Sequence, residues 1–267
     1  MSELITSADD PRLPEIIQKH WYHFYKLYSK GGHFQHYETP YYSRIEYDKA
    51  WQGWTGIHLS NIPETKTDQV ITEVINRYKE IDKPFTWWIG PTCKPINLGE
   101  HLEQHGLRYD TDTPYMAVNL DELADIKTPD ELEIVKVQDS DMLLKWTKAC
   151  AKGFGFTQFT DDIFAVENHE SLWKLPNRIR YVGLVDGVPV SGGTVLAEFG
   201  VACIYQVATA PEARGKGYGT AVTMAPLRDM VDQGLKVGVL HSSKMGYSVY
   251  ERIGFKKVGQ HSVYKST

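Results

Sequence analysis

Residues Ala202 to Thr220 constrain the fold of this 267-residue chain more than any other stretch. An apolar, β-branched run from Ile204 to Thr209 reads as a strand. Ala210-Pro211 ends it, and Arg214-Gly215-Lys216-Gly217-Tyr218-Gly219 forms a glycine-rich turn. Behind the turn, Met224, Leu227 and Val231 recur at spacings of three and four, which predicts a helix. Such a helix starts with unpaired backbone N–H groups and the positive end of its dipole, and the glycines leave an anion room to reach them. The stretch reads as a phosphate cradle.

Spacing narrows which cradle it is. The nucleotide P-loop needs four residues between its first glycine and Gly-Lys-Ser/Thr, and the chain has no such run. A dinucleotide fingerprint starting at Gly215 and Gly217 would require glycine at 220, where Thr220 stands. The surroundings argue the same way. Arg178 to Val185, an Asp186-Gly187 turn and Val188 to Glu198 predict a hairpin, and Phe199-Gly200 turns again into the strand before the loop. An antiparallel meander is unlike the strand–helix alternation of a doubly wound dinucleotide fold.

The remaining elements follow from periodicity and breakers. Helices are predicted over 13–28, 67–80 and 98–105, the last stopped by Gly106, with a buried strand at 85–90. Residues 42–62 read as extended, and 107–120 as a strand pair or one long bent strand. Asp121 to Asp130 reads as a linker. Then come a strand at 131–137, a helix from Ser140 that buries Leu143, Leu144, Trp146 and Cys150, and a second helix N-capped by Thr160. After the loop helix, a strand at 236–241, a helix at 244–253 stopped by Gly254, and a strand at 255–265 complete the chain.

A formal charge of −5 offers no basic field for nucleic acid. No apolar run is long enough to span a bilayer, and the polar, acidic stretch Met1 to Arg12 does not read as a signal peptide. Cys93, Cys150 and Cys203 cannot all pair and read as reduced thiols, so a cytoplasmic protein is expected. The pairs His101/His105, His20/His23 and His33/His36 lack a third ligand, and no metal site is expected. The aromatic run Trp21, Phe24, Tyr25, Tyr28, Phe34, Tyr37, Tyr41, Tyr42, Tyr47, Trp51 and Trp54 either packs a small domain or lines a cleft for an acceptor or cation.

Two motifs together point to a family. Arg214 to Gly219 has the form R-x-x-G-x-G, and Tyr250-Glu-Arg-Ile-Gly-Phe255 has the form Y-x-x-x-G-F. In that order, on a loop-helix and a helix-strand, they resemble motifs A and B of the GNAT N-acetyltransferase superfamily. The element order β-α-α-β-β-β-α-β-α-β over residues 130–267 is similar to that family's fold as well. The resemblance implies a mixed α/β fold and an acetyl-CoA-dependent N-acetyltransferase in which a primary amine of a small molecule or peptide attacks the thioester directly. By the same resemblance, Val207, Ala208 and Thr209 pair with pantetheine and one N–H there stabilises the oxyanion. Arg214, Gly215, Lys216, Gly217, Tyr218, Gly219 and Thr220 hold the pyrophosphate, Ser243 stands where the family often has a cofactor-bonding Asn, and Tyr250 is the general acid. The Glu that many members use as base is replaced by Cys203, leaving Tyr205, Glu198, His241 or a water on Gln206 as alternatives. A non-catalytic acyl-CoA-binding module is the second reading. Transfer from aminoacyl-tRNA is disfavoured by the CoA loop and the absent basic surface.

The cadence Leu102-Glu-Gln-His-Gly106-Leu107 echoes Tyr250-Glu-Arg-Ile-Gly254-Phe255. On that echo, residues 1–127 are expected to form a degenerate GNAT-like unit and 128–267 the catalytic one. The N-terminal copy lacks a glycine between Gly56 and Gly90, so it carries no phosphate loop. Tandem GNAT enzymes such as mycothiol synthase make a thiol-precursor amine one conceivable acceptor.

Overall fold

The computed structural model describes residues 4–48 and 54–266, so Trp51 and the first three residues of the N-terminal stretch lie outside the described residues. The elements run α1 (Leu13–Tyr28), β1 (Phe34–Glu38), β2 (Tyr42–Tyr47), β3 (Gly56–Ser60), α2 (Thr67–Glu80), β4 (Thr86–Ile89), α3 (Leu98–Gln104) and β5 (Arg108–Asn119). They continue with β6 (Glu133–Lys136), α4 (Ser140–Phe154), α5 (Thr160–Glu167), α6 (Glu170–Trp173), β7 (Arg178–Val185), β8 (Val188–Glu198) and β9 (Val201–Thr209). Last come α7 (Tyr218–Asp232), β10 (Val237–His241), α8 (Tyr247–Ile253) and β11 (Lys256–Lys265).

The chain divides into two compact units, and the division differs from a single cut at 127/128. One unit, here the loop unit, takes the residues up to Leu13 and Tyr115–Val258, and the other takes Pro14–Pro114 and the residues from Gly259 on. Both β5 and β11 therefore run from one unit into the other.

In the loop unit the strand order is β5-β10-β9-β8-β7-β6, with β10 parallel to β9 and the other pairs antiparallel. One face is covered by α7 and α8, whose Val222, Met224, Leu227, Met230 and Ile253 pack on Met116, Val118, Val195 and Ile204. On α7 it is Met230 that completes the buried stripe, while Val231 is 41% exposed. Against a second cluster α4 buries Leu143, Trp146 and Cys150 on Val182, Leu184 and Ala208, with Leu144 only half-buried. Asp139 caps α4 by accepting from the Met142 N–H, and Gly155 ends it in a left-handed turn (φ +79). The expected cap at Thr160 is not made. Its hydroxyl donates to the Thr157 carbonyl inside a preceding 3-10 turn, and the helix breaks after Glu167 to restart at Glu170. The Asp186-Gly187 hairpin has positive φ at both residues, as a tight two-residue turn requires.

In the second unit the strand order is β1-β2-β3-β4-β11, with β3 parallel to β4. Against it α2 and α3 bury Val70, Ile71, Val74, Tyr78, Leu98 and Leu102 on Ile57, Phe85 and Trp87. Part of the aromatic run is core here: Tyr28, Phe34, Tyr47 and Trp54 contact one another ring to ring at centroid distances of 4.7–5.7 Å. Residues 107–120 resolve as one long strand, β5.

Candidate active site

The strand β9 makes the cleft. One edge pairs with β8 from Val201 to Thr209, but on the other edge the pairing with β10 covers only Ala202–Ile204. Beyond Ile204 the parallel strands part, and the last residues of β9 keep an edge that no strand among the described residues occupies. A bulge coincides with the parting. Ala208 faces Gly192 and Tyr205 faces Thr194, so Gln206 and Val207 together oppose Gly193, and Gln206 takes φ +54. Because side chains alternate along a strand, the extra residue exchanges the faces of Ala208 and Thr209 relative to a regular ladder.

At this fork opens a cleft of about 630 Å³. It brings together Val207, Ala208, Thr209, Arg214, Gly215, Gly217, Tyr218, Gly219, Thr220, Ser243 and Tyr250. Lys216 stands outside the lining, exposed, with its Nζ 6.0 Å from the Tyr218 ring centroid. The glycine loop needs its glycines: Gly215 and Gly217 have φ +78 and +83, a region that costs any other side chain. No backbone acceptor meets the N–H groups of residues 215–220 among the described residues, and the first helical bond of α7 is Ala221 N–H to the Gly217 carbonyl. Six consecutive N–H groups at a helix start form a nest suited to a pyrophosphate.

Several of these side chains also bond to the scaffold. The Arg214 guanidinium donates to the carbonyls of Thr209 (3.2 Å) and Gly153 (2.8 Å), tying the end of α4 to the loop. Gly153 is required there, since a Cβ would stand 2.7 Å from Ala208 Cβ and 2.9 Å from Thr209 N. The Tyr218 hydroxyl donates to Glu131 (2.9 Å). Ser243 Oγ accepts from the Gly246 N–H (3.1 Å) at the turn that starts α8. Lining residues that no motif had singled out include Lys152, Phe154, Met245, Val249 and Arg252. Of these, Met245 is 67% exposed, and Gly246 has only the tight fit against the Tyr250 ring (2.8 Å from a built Cβ) as its signature.

Tyr250 lies at the inner wall of the cleft, 8% exposed and edge-on to Phe255. Burial pushes its phenol up to about 12, so it holds its proton throughout the neutral range. The alternatives for a base are elsewhere. Cys203 is fully buried, and burial drives its thiol well above the usual thiol range. Glu198 accepts from Asn177 Nδ2 (2.6 Å) at the far end of β8, and the Tyr205 and His241 rings pack together 5.9 Å apart. The Gln206 side chain turns to Glu167. None of these five residues is among those lining the cleft. Elsewhere, His101 Nδ1 meets Asp68 (2.8 Å) and His105 Nδ1 meets the His101 carbonyl, and no His/Cys/Asp/Glu group among the described residues is arranged to hold a metal. No described helix is long and apolar enough to cross a membrane.

Residues 134–258 match the acetyltransferase (GNAT) domain family. Among solved structures, a GCN5-related N-acetyltransferase from Kribbella flavida is similar at a TM-score of 0.66 and 13% identity, covering 91% of this chain and 94% of that one. One from Sphaerobacter thermophilus gives 0.62 and 15%, covering 85% and 80%. A tandem GNAT protein from the clavulanic acid biosynthesis pathway gives 0.64 and 9%, covering 98% and 97%. No curated protein matches the chain. The GNAT fold is shared across nearly the whole length of the chain, and the family match lies over the cleft-bearing segment, which together support an acyltransferase of the GNAT type.

Proposed function

We propose that the protein is an acetyl-CoA-dependent N-acetyltransferase that moves the acetyl group to a primary amine of a small molecule or peptide. One observation carries this reading: a single cleft holds the unpaired edge of β9, the nest of N–H groups at Gly215–Thr220 and the Tyr250 phenol. Pantetheine extends along Val207–Thr209 as an added strand, and the pyrophosphate sits on the nest, with Ser243 on the opposite wall. The amine attacks the thioester carbonyl while an N–H of the β9 edge takes the developing oxyanion. As the C–S bond breaks, Tyr250 donates its proton to the departing thiolate, and the proton that the attacking nitrogen loses to water restores the phenol. The loop unit is the catalytic one, and residues Pro14–Pro114 are a degenerate GNAT-like unit without a loop of its own.

One observation favours a second reading, a non-catalytic acyl-CoA-binding module: among the described residues, no carboxylate or imidazole lines the cleft. Tyr250→Phe separates the two. An enzyme keeps its acetyl-CoA affinity in calorimetry and loses roughly a hundredfold in turnover. Wild-type protein that binds acetyl-CoA yet acetylates nothing in a broad amine library, read by mass spectrometry, supports the binding module.

A further inference from the structure

Gln206 adopts a left-handed backbone conformation that ordinary side chains avoid, so something must hold it there. Its side chain reaches into a buried ion cluster. Nε2 donates to Glu167 Oε1 (3.1 Å), and Oε1 accepts from Arg178 (3.3 Å) and from the Thr194 hydroxyl (3.0 Å). Glu167 is in turn held by Arg178 (3.0 Å) and by two bonds from Arg180 (3.0 and 2.6 Å). All three charged residues are at most 4% exposed. The bulge is gripped on both strands, because Trp146 Nε1 donates to the carbonyl of Gly193, the residue opposite it (3.2 Å).

A buried carboxylate between two guanidiniums costs desolvation and is weak evidence for stability alone. Here it gives the Gln206 amide a rigid acceptor and a rigid donor, which define one position for the bulge. We propose that Gln206 is a positioning residue for the acyl thioester, fixing through its amide the bulge that turns the Val207–Thr209 edge of β9 toward the acyl-pantetheine arm. This role rests on the acyl-CoA reading above.

Two variants and two probes test it by calorimetry. Gln206→Leu removes the amide and leaves the Glu167–arginine pairs. Gln206→Gly removes the amide while tolerating the positive φ, and carries the test if the leucine variant fails to fold. The probes are acetyl-CoA and 3′-phospho-ADP, which keeps the pyrophosphate and lacks the pantetheine arm. Both variants should bind acetyl-CoA about tenfold more weakly, as lost pairing along the arm implies, with 3′-phospho-ADP changed less than about twofold. Unchanged acetyl-CoA affinity in Gln206→Gly overturns the proposal, and so does equal weakening of both probes, the mark of a merely structural residue. Wild-type protein that binds neither probe overturns the acyl-CoA reading itself, and this role with it.

Discussion

Two pairs of parallel strands, one in each unit, begin side by side and then separate. In the loop unit, β9 and β10 part after Ile204 and Leu240, and the space between them is the cleft. In the second unit, β3 and β4 part after Ile57 and Trp87, and the protein's own chain enters the gap. There Lys94 N–H donates to the Ser60 carbonyl (2.9 Å) and the Lys94 carbonyl accepts from Ile62 N–H (3.1 Å). Cys93 Sγ stands 4.0 and 3.9 Å from the carbonyls of His58 and Trp88. The helices that follow differ in the same sense. β9 leads through two left-handed glycines into α7, whereas β3 leads through Pro63 and Glu64 into α2, with no positive-φ residue between them. A strand fork is thus only an opportunity: it becomes a ligand slot where the chain leaves it empty and supplies N–H groups at its mouth.

The largest effect expected from this contrast is at the loop. Gly217→Val forces a β-branched residue to φ +83 and should weaken acetyl-CoA binding in calorimetry by about a hundredfold or more. Thr65→Val, before α2, should leave it unchanged. A comparable loss there would break the comparison.

Next comes acid sensitivity, expected in the second unit. Burial pushes the imidazoles of His58 and His261 down to about 3, so the folded state keeps them neutral while an unfolded chain protonates them near the ordinary value. Their contribution is intact above about pH 6.5 and is lost as pH falls toward 3, at about 1.4 kcal/mol per pH unit for each histidine. Amide protection factors, taken against the intrinsic exchange rate at each pH, should fall between pH 7 and pH 4.5 in β3 and β4 more than in β9 and β10, and an equal fall would count against the contrast. A smaller effect is expected for Cys93→Ala, about 1 kcal/mol of stability by chemical denaturation. Acetyl-CoA stoichiometry should stay at one per chain, since backbone still fills the fork, and two per chain would show the plug to be the side chain alone. The smallest effect is a null one. With the Tyr250 phenol at about 12, turnover should show no alkaline limb from this residue below roughly pH 11.

Features that depend on local chemistry were legible in the sequence. Left-handed turns announced themselves as glycine at 215, 217, 187 and 254, and the spacing to Tyr250 linked that residue to the loop before any fold was visible. Gln206 was not legible as a left-handed residue, because its conformation comes from partners 12 to 39 positions away rather than from its own side chain. The ion cluster did carry a signal. Arg178 and Arg180 fall two apart on a strand and so share one face, which is unusual for a strand this apolar. Thr160 misled because a hydroxyl before two aspartates reads as a cap, whereas the 3-10 turn from Thr157 had already taken that role. The exposed lining residues Met245 and Arg252 belong to no periodic pattern, so nothing in the sequence marked them.

The two strands that pass from one unit into the other decide what can be cut. A chain beginning at residue 128 would lack Tyr115–Asn119, the segment that pairs with β10 across all five of its residues. It would also carry the residues after Val258, whose partners on β4 lie in the discarded part. The acyltransferase segment is therefore not a bead on a string that recombination could lift out and graft elsewhere. Each unit's sheet is finished by a strand whose chain continues into the other, so a cut anywhere between 115 and 258 leaves one sheet without its last strand.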